Sequence, residues 1–246
     1  MSAVGTLQGF PGRTRMAVLP QIRHWVIWPL LLAAVTLAVG LTLKSVRALT
    51  AADLGVDQAL SRDHSPVLTS LALATATVFS PAGGVVMIAV LCLFLLFVRR
   101  SPVNAVATGA VASAGWLSSE VFKVIVARHR PDAAALFDPL VPESGSGSFP
   151  SGHTCLAVSL AVAVFLLARG TRWQWAALAG GAAVSVGVAA SRVYLGVHYP
   201  TDVAASFIVS GTGILFCTGL WNRYGLKILV RIPLLGRLGP IPAPQS

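Results

Sequence analysis

The chain has 246 residues, of which 55% are hydrophobic and 11% charged, with a net charge of +10 and a mean hydropathy of +0.78. Soluble domains carry about 25% charged residues, so composition excludes an ordinary soluble fold and points to an all-α membrane protein built as one bundle. The basic excess does not mark a nucleic-acid partner. Its cations flank apolar runs, as topology determinants do, instead of clustering on a polar domain.

Arg13, Arg15 and Arg23 precede the first apolar run, residues 25–43. A membrane-crossing helix needs about 20 apolar residues. This run is long and no small-residue cleavage site follows it, so it reads as a retained anchor after a cytoplasmic N-terminal segment, 1–24. The polar stretch holding Asp53, Asp57 and Asp63 reads as an exposed loop in preference to a cation site. From 66 to 98 the sequence is apolar for longer than one span requires, and Pro81 followed by Gly83 and Gly84 breaks it. The expected division is a helix over 66–79, at or dipping into the outer face, and one span over 82–98.

Further spans are expected over 103–126, 153–168, 173–190 and 202–221. This gives six transmembrane helices in one domain, 25–222, followed by a cytoplasmic tail, 223–246. With both termini inside, the inner segments hold 11 of the 18 Lys and Arg residues, the asymmetry that sets orientation. The eight acids fall on or near the outer side, in agreement. Cys92, Cys155 and Cys217 lie in apolar stretches without ligand-type spacing and read as small buried side chains. The loop 127–150, where Glu143 opens a Gly/Ser run, reads as a flexible connector more readily than as a lid.

Three polar blocks interrupt this apolar chain. Ionisable groups are costly in lipid and persist there mainly for function. Lys123 and Arg130 stand two helical turns apart, and Pro131 ends any helix beyond them. Pro150, Ser151, Gly152 and His153 open the fourth span, where unsatisfied N–H groups and the helix dipole suit an anion. Ser151 is a good N-cap there, and Gly152 permits close backbone approach. Ser191 and Arg192 end the fifth span, and His198 to Asp202 straddle the start of the sixth. A carboxylate four residues after a histidine can reach its ring N–H, fix the tautomer and leave the other nitrogen as a nucleophile. Taken singly, the blocks are also accounted for by snorkelling cations, a capped helix start and a local His–Asp cap. Together, at one membrane face, they supply three cations, two histidines and a carboxylate, which is the chemistry of a phosphate-handling site.

The ordered pattern Lys-x6-Arg-Pro, Pro-Ser-Gly-His and Ser-Arg-x5-His-x3-Asp resembles the signature of the type 2 phosphatidic acid phosphatase (PAP2) superfamily. Every fixed letter is present over 123–202, and the six-span layout extends the resemblance over most of the chain. The resemblance implies a membrane phosphatase in which His198 attacks phosphorus and carries a phosphohistidine, Asp202 orients it, and His153 protonates the leaving oxygen. Lys123, Arg130, Ser151, Gly152 and Arg192 would bind the phosphoryl oxygens, with no metal and no cofactor.

The expected partner is a membrane lipid substrate, a lipid phosphate or isoprenoid diphosphate met at the outward face of a bacterial plasma membrane. The isoprenoid carrier diphosphate is slightly favoured over phosphatidylglycerol phosphate and phosphatidic acid. A lipid phosphotransferase, or a lipid-phosphate binding or transport protein keeping the pocket, are the alternatives. The related vanadium haloperoxidases are soluble, which six spans argue against. Glu120 is expected to pair with Lys123 or cap local structure, Arg128 to touch a headgroup or face water, and Tyr194 and Tyr199 to serve as interfacial anchors or packing. Oligomeric state is not indicated.

Overall fold

The computed structural model describes residues 12–244, and among these all regular structure is helical. The main helices are α1 (Ile27–Ser45), α2 (Arg47–Leu60), α3 (Pro66–Val78), α4 (Pro81–Leu93), α5 (Pro102–Val126), α6 (Gly152–Ala168), α7 (Gln174–Tyr194) and α8 (Pro200–Leu220). Two short helices follow, α9 (Leu226–Leu229) and α10 (Pro233–Leu238). Proline opens α3, α4, α5 and α8, where its missing N–H costs nothing and its fixed φ favours the first turn. Pro81 therefore acts as a helix start after the Ser80 cap, which accepts from the Gly83 N–H, and the division expected at this point is the one observed.

Five stretches are long and apolar enough to cross a membrane: Ile27–Ser45, Pro81–Val98, Pro102–Val126, Gln174–Tyr194 and Pro200–Leu229. Helices α3 and α6 are apolar but shorter, at 13 and 17 residues. The exterior carries large apolar side chains such as Leu30, Val35, Val90, Phe97, Val124 and Val186, the surface a lipid solvent requires. The 46–65 region is not the loop expected from sequence, because α2 occupies most of it.

Helix α5 is the central post, packed against α6 and α8, with α7 on the far side of α6. Small residues let these axes approach closely. A Cβ on Gly213 of α8 would stand 2.8 Å from the Ala114 carbonyl oxygen of α5. At the end of the bundle away from the polar blocks, Met16 is buried with Val103, Ala107, Ala163, Ile214 and Trp221. Its N–H reaches Asn104 Oδ1 at 2.9 Å, and its carbonyl accepts from Trp221 Nε1 at 2.9 Å. Asn222 holds both the N–H and the carbonyl of Leu19. The described part of the N-terminal segment is thus tied into the bundle. The chain after α8 also stays helical, through a π-turn at Trp221–Gly225 into α9. The three cysteines are free, with Cys155 buried and the other two half-buried.

Candidate active site

All three polar blocks meet at one end of the bundle. Helix α5 ends at Ala127, whose left-handed backbone (φ 47°) turns the chain away immediately after Lys123. The loop beyond is pinned to itself: Arg130 N–H donates to the Gly145 carbonyl, and the Gly147 and Ser148 N–H groups both donate to the Arg128 carbonyl. A flexible connector was expected here. Backbone pairing instead carries Glu143 inward and delivers Ser148 and Ser151 to the interior.

His198 sits between α7 and α8, 1% exposed. Its Nδ1 lies 2.8 Å from the Ser148 carbonyl oxygen. A carbonyl can only accept, so Nδ1 carries the hydrogen and Nε2 keeps its lone pair. Nε2 in turn lies 3.1 Å from an Arg130 guanidinium nitrogen, which can only donate. Burial first, with the Arg130 and Arg192 charges beside it, holds this imidazole down at about 4. It is neutral at pH 7, with an unshared electron pair aimed among cations.

The expected contact between Asp202 and His198 is not direct. Asp202 Oδ2 stands 3.8 Å from Nδ1, too far for a hydrogen bond. Its partners are the Ser148 hydroxyl at 2.5 Å and the Tyr199 N–H at 3.1 Å. Ser148 therefore bridges the two residues, its hydroxyl donating to Asp202 and its carbonyl accepting from His198. The spacing of four fails because α8 begins at Pro200: His198 lies before the helix and outside its geometry.

Arg130 and Arg192 converge on Glu143. Arg192 is fully buried, and its Nε and Nη1 have no hydrogen-bond partner among the described residues. Its Nη2 donates to Glu143 Oε1 at 2.6 Å, while Arg130 Nη1 pairs with Glu143 Oε2 at 2.7 Å. Burial alone would raise the Glu143 carboxyl, but the Arg192 and Arg130 charges outweigh it and hold the group below the usual carboxylate range. Lys123 pairs with Glu120 at 2.7 Å, as expected. A Cβ on Gly152 would fall 2.9 Å from the Lys123 ammonium, so glycine is what lets that charge reach the start of α6. Ser151 caps α6, accepting from Thr154. His153 follows in the first turn, with Nε2 3.2 Å from the Ala76 carbonyl near the end of α3. His153 lies within electrostatic reach of Arg192, His198 and Glu143.

Two readings of single residues are corrected. Arg128 neither touches a headgroup nor faces water. It is 2% exposed, paired with Asp53 at 2.8 Å and Asp202 at 2.7 Å, and stacked 4.1 Å over the Tyr199 ring. Tyr199 is correspondingly buried, which fits the packing alternative expected for it. Asp53 and Asp57 lie inside the protein on α2, whereas Asp63 is exposed. Their spacing of four, which places both on one helical face, was the signal available in the sequence. Glu143 carried no comparable signal, because Gly/Ser neighbours favour flexibility.

With this geometry in view, likeness to known proteins is informative. The model of the PAP2 superfamily matches residues 103–225, half of the chain, and the chain belongs to that superfamily. It is 40% identical over 77 residues to the bacitracin transport permease protein BcrC of Bacillus licheniformis, covering 31% of this chain and 35% of that one. It is 26% identical over 147 residues to the undecaprenyl-diphosphatase BcrC of Bacillus subtilis, covering 60% and 72%. The first of these matches spans about a third of the relative's length. Among solved structures, the transmembrane PAP2-type phosphatidylglycerolphosphate phosphatase of Bacillus subtilis superposes with a TM-score of 0.65 at 25% identity. That match covers 79% of this chain and 96% of the other.

Asp57 yields a stability prediction. It is 1% exposed, and neither carboxyl oxygen has a hydrogen-bond partner. Burial, followed by the charges of Asp53 and Asp202, pushes its pKa up from 3.8 to about 8. The folded state retains a proton that the unfolded state releases, so this stabilisation is complete below pH 3.8 and is lost as pH rises towards 8. Thermal unfolding in detergent should therefore show wild type losing more stability than Asp57→Asn between pH 5 and 8. Parallel curves would contradict the assignment.

Proposed function

We propose that this chain is an integral-membrane phosphatase that hydrolyses a lipid phosphate or isoprenoid diphosphate through a phosphohistidine on His198, without a metal. The observation that carries this reading is the state of His198: a neutral ring with its hydrogen fixed on Nδ1 and its Nε2 lone pair beside Arg130. The Glu143 carboxylate bridging Arg130 and Arg192 supports the site of binding, since it occupies the position that suits two phosphoryl oxygens.

In the proposed reaction the substrate phosphoryl group displaces Glu143. Arg130, Arg192 and Lys123 hold its non-bridging oxygens, where charge accumulates in phosphoryl transfer. The first-turn N–H of Gly152 and the Ser151 hydroxyl complete the cradle. Nε2 of His198 attacks phosphorus, the bond to the leaving oxygen breaks, and protonated His153 supplies that oxygen with its proton. Water then attacks the phosphohistidine and passes a proton to His153, which releases inorganic phosphate and restores the free imidazole.

An apolar groove of about 580 Å³ supports a lipid substrate. It runs between α3 and α7, lined by Leu68, Leu71, Ala72, Val184 and Val188, and includes Ser191, the residue before Arg192 in the chain. A tail in this groove would leave its headgroup at Arg192. On this reading α6 crosses as the sixth span beside the five longer candidates, and the site opens outward with both termini inside, as the distribution of Lys and Arg favours. The names of the relatives favour undecaprenyl diphosphate, with phosphatidylglycerol phosphate next. The relative described as a transport permease keeps phosphate binding without hydrolysis as a second reading, which the same assay decides.

Purified protein should release phosphate from undecaprenyl diphosphate in EDTA, and His198→Ala should lower turnover by about 10³-fold or more, the scale of removing a nucleophile. Undiminished turnover in the variant, or dependence on added Mg²⁺, would refute the mechanism. Because His198 must be unprotonated to attack and its pKa is held at about 4, activity should persist as pH falls and the acidic limb of kcat/KM should lie near pH 4. A limb near the ordinary imidazole value would contradict the site. Glu143→Gln should strengthen inhibition by inorganic phosphate about tenfold, the scale of one charge-assisted contact no longer competed away. Unchanged or weaker inhibition would show that the carboxylate does not occupy the phosphate position.

A further inference from the structure

Helix α2 buries only two of its fourteen residues, and both are acids, Asp53 and Asp57. The hydrophobic effect cannot be what seats such a helix, since burying carboxyl groups costs free energy unless they are paired. The Asp57 carboxyl finds no hydrogen-bond partner among the described residues. Asp53 is bound on two sides: its Oδ2 accepts from Arg128 Nη2 at 2.8 Å and from the Thr201 hydroxyl at 2.5 Å. From there an unbroken series of contacts leads inward. Arg128 Nη1 donates to Thr201 Oγ1 at 2.8 Å and to Asp202 Oδ1 at 2.7 Å. Asp202 Oδ2 accepts from the Ser148 hydroxyl at 2.5 Å, and the Ser148 carbonyl accepts from His198 Nδ1 at 2.8 Å. Each side chain in this series, Asp53, Arg128, Asp202, Ser148 and His198, is at most 7% exposed, so water does not interrupt it.

We propose that Asp53 is a positioning residue for the nucleophile, acting from α2 through Arg128, Asp202 and Ser148 to fix the orientation and tautomer of His198. The inference rests on the phosphatase reading. It also assigns a role to a helix outside residues 103–225, where the superfamily match lies. The chemistry requires a second anion. With Asp202 alone, Arg128 would be held by one arm of its guanidinium and could turn about its own side-chain torsions. Asp53 takes the other arm of the guanidinium, and the Tyr199 ring covers its face at 4.1 Å. The plane of Arg128 is then fixed, and Asp202 presents a set oxygen to Ser148. Ser148 has no freedom left either: its N–H is held by the Arg128 carbonyl at 3.0 Å. Arg128 thus binds this serine through its backbone and, by way of Asp202, through the serine side chain.

The test uses full-length protein in detergent, with lipid-phosphate turnover, inhibition by inorganic phosphate and thermal stability measured on the same preparations. Asp53→Asn keeps the size and removes the charge. It should lower kcat by about ten- to a hundredfold, the usual effect of losing an orienting partner behind a reacting group. KM and phosphate inhibition should stay within about twofold, because the cation cup is untouched. Asp53→Glu, which restores the charge, should recover part of the lost kcat. Asp57→Asn changes the other buried acid of α2 without touching the series, and should leave kcat at the wild-type level. If Asp53→Asn does not fold, Thr201→Val removes one of the two donors to Asp53 and should show the same split of kcat from KM in smaller measure. Wild-type kcat in the Asp53 or Thr201 variant would overturn the inference. So would equal losses in Asp53→Asn and Asp57→Asn that follow the fraction of folded protein. A folded wild type that releases no phosphate would defeat the phosphatase reading itself, an outcome distinct from either.

Discussion

The outer construction of this site follows from one constraint, that two arginine guanidinium groups are kept charged while wholly buried. Arg128 and Arg192 are the largest fully buried side chains described. Desolvating such a charge costs several kcal/mol unless an anion and hydrogen bonds compensate. Arg128 has both terminal nitrogens paired with protein carboxylates, Asp53 and Asp202, and its face against Tyr199, with only Nε unpaired among the described residues. Arg192 is compensated in part: Glu143 takes one nitrogen, while Nε and Nη1 have none. The first arginine is thereby structural for the nucleophile, and the second retains binding capacity that an incoming dianion can use.

This difference explains how a cup of positive charge exists next to a histidine that stays neutral. The same cations that attract a phosphoryl group disfavour imidazolium, and burial acts in the same direction. Asp202 opposes both, but burial and the two arginines outweigh it, and Ser148 bridges the carboxylate and the ring. Orientation is passed along while the carboxylate is held 3.8 Å from Nδ1.

Much of this was legible in the sequence. Apolar runs and prolines locate the helices, including the break at Pro81, and the three blocks stand out as polar islands in an apolar chain. What escaped depended on partners distant in the chain. Asp53 and Asp57 looked like loop acids because nothing local says that Arg128, 75 residues later, lies against them. Arg128 opens the polar run Arg128, His129 and Arg130, where a solvated side chain is the ordinary outcome. Glu143 sits in a Gly/Ser run whose order comes from backbone bonds to Arg128 and Arg130, a pairing without a composition signature. The His198–Asp202 contact was misjudged because helical spacing was applied to a residue two positions before the helix starts.

The central claim is that His198 forms a covalent bond to phosphorus. It is tested most directly by mapping phosphate on the protein during turnover. His153→Ala, given an aryl phosphate whose leaving group needs no proton, should form the intermediate and hydrolyse it slowly. After an alkaline quench, which preserves phosphohistidine, mass spectrometry should find the phosphoryl group on the peptide containing His198 and on no other. Continued phosphate release with His198 unmodified, or phosphate on a different residue, would contradict the account.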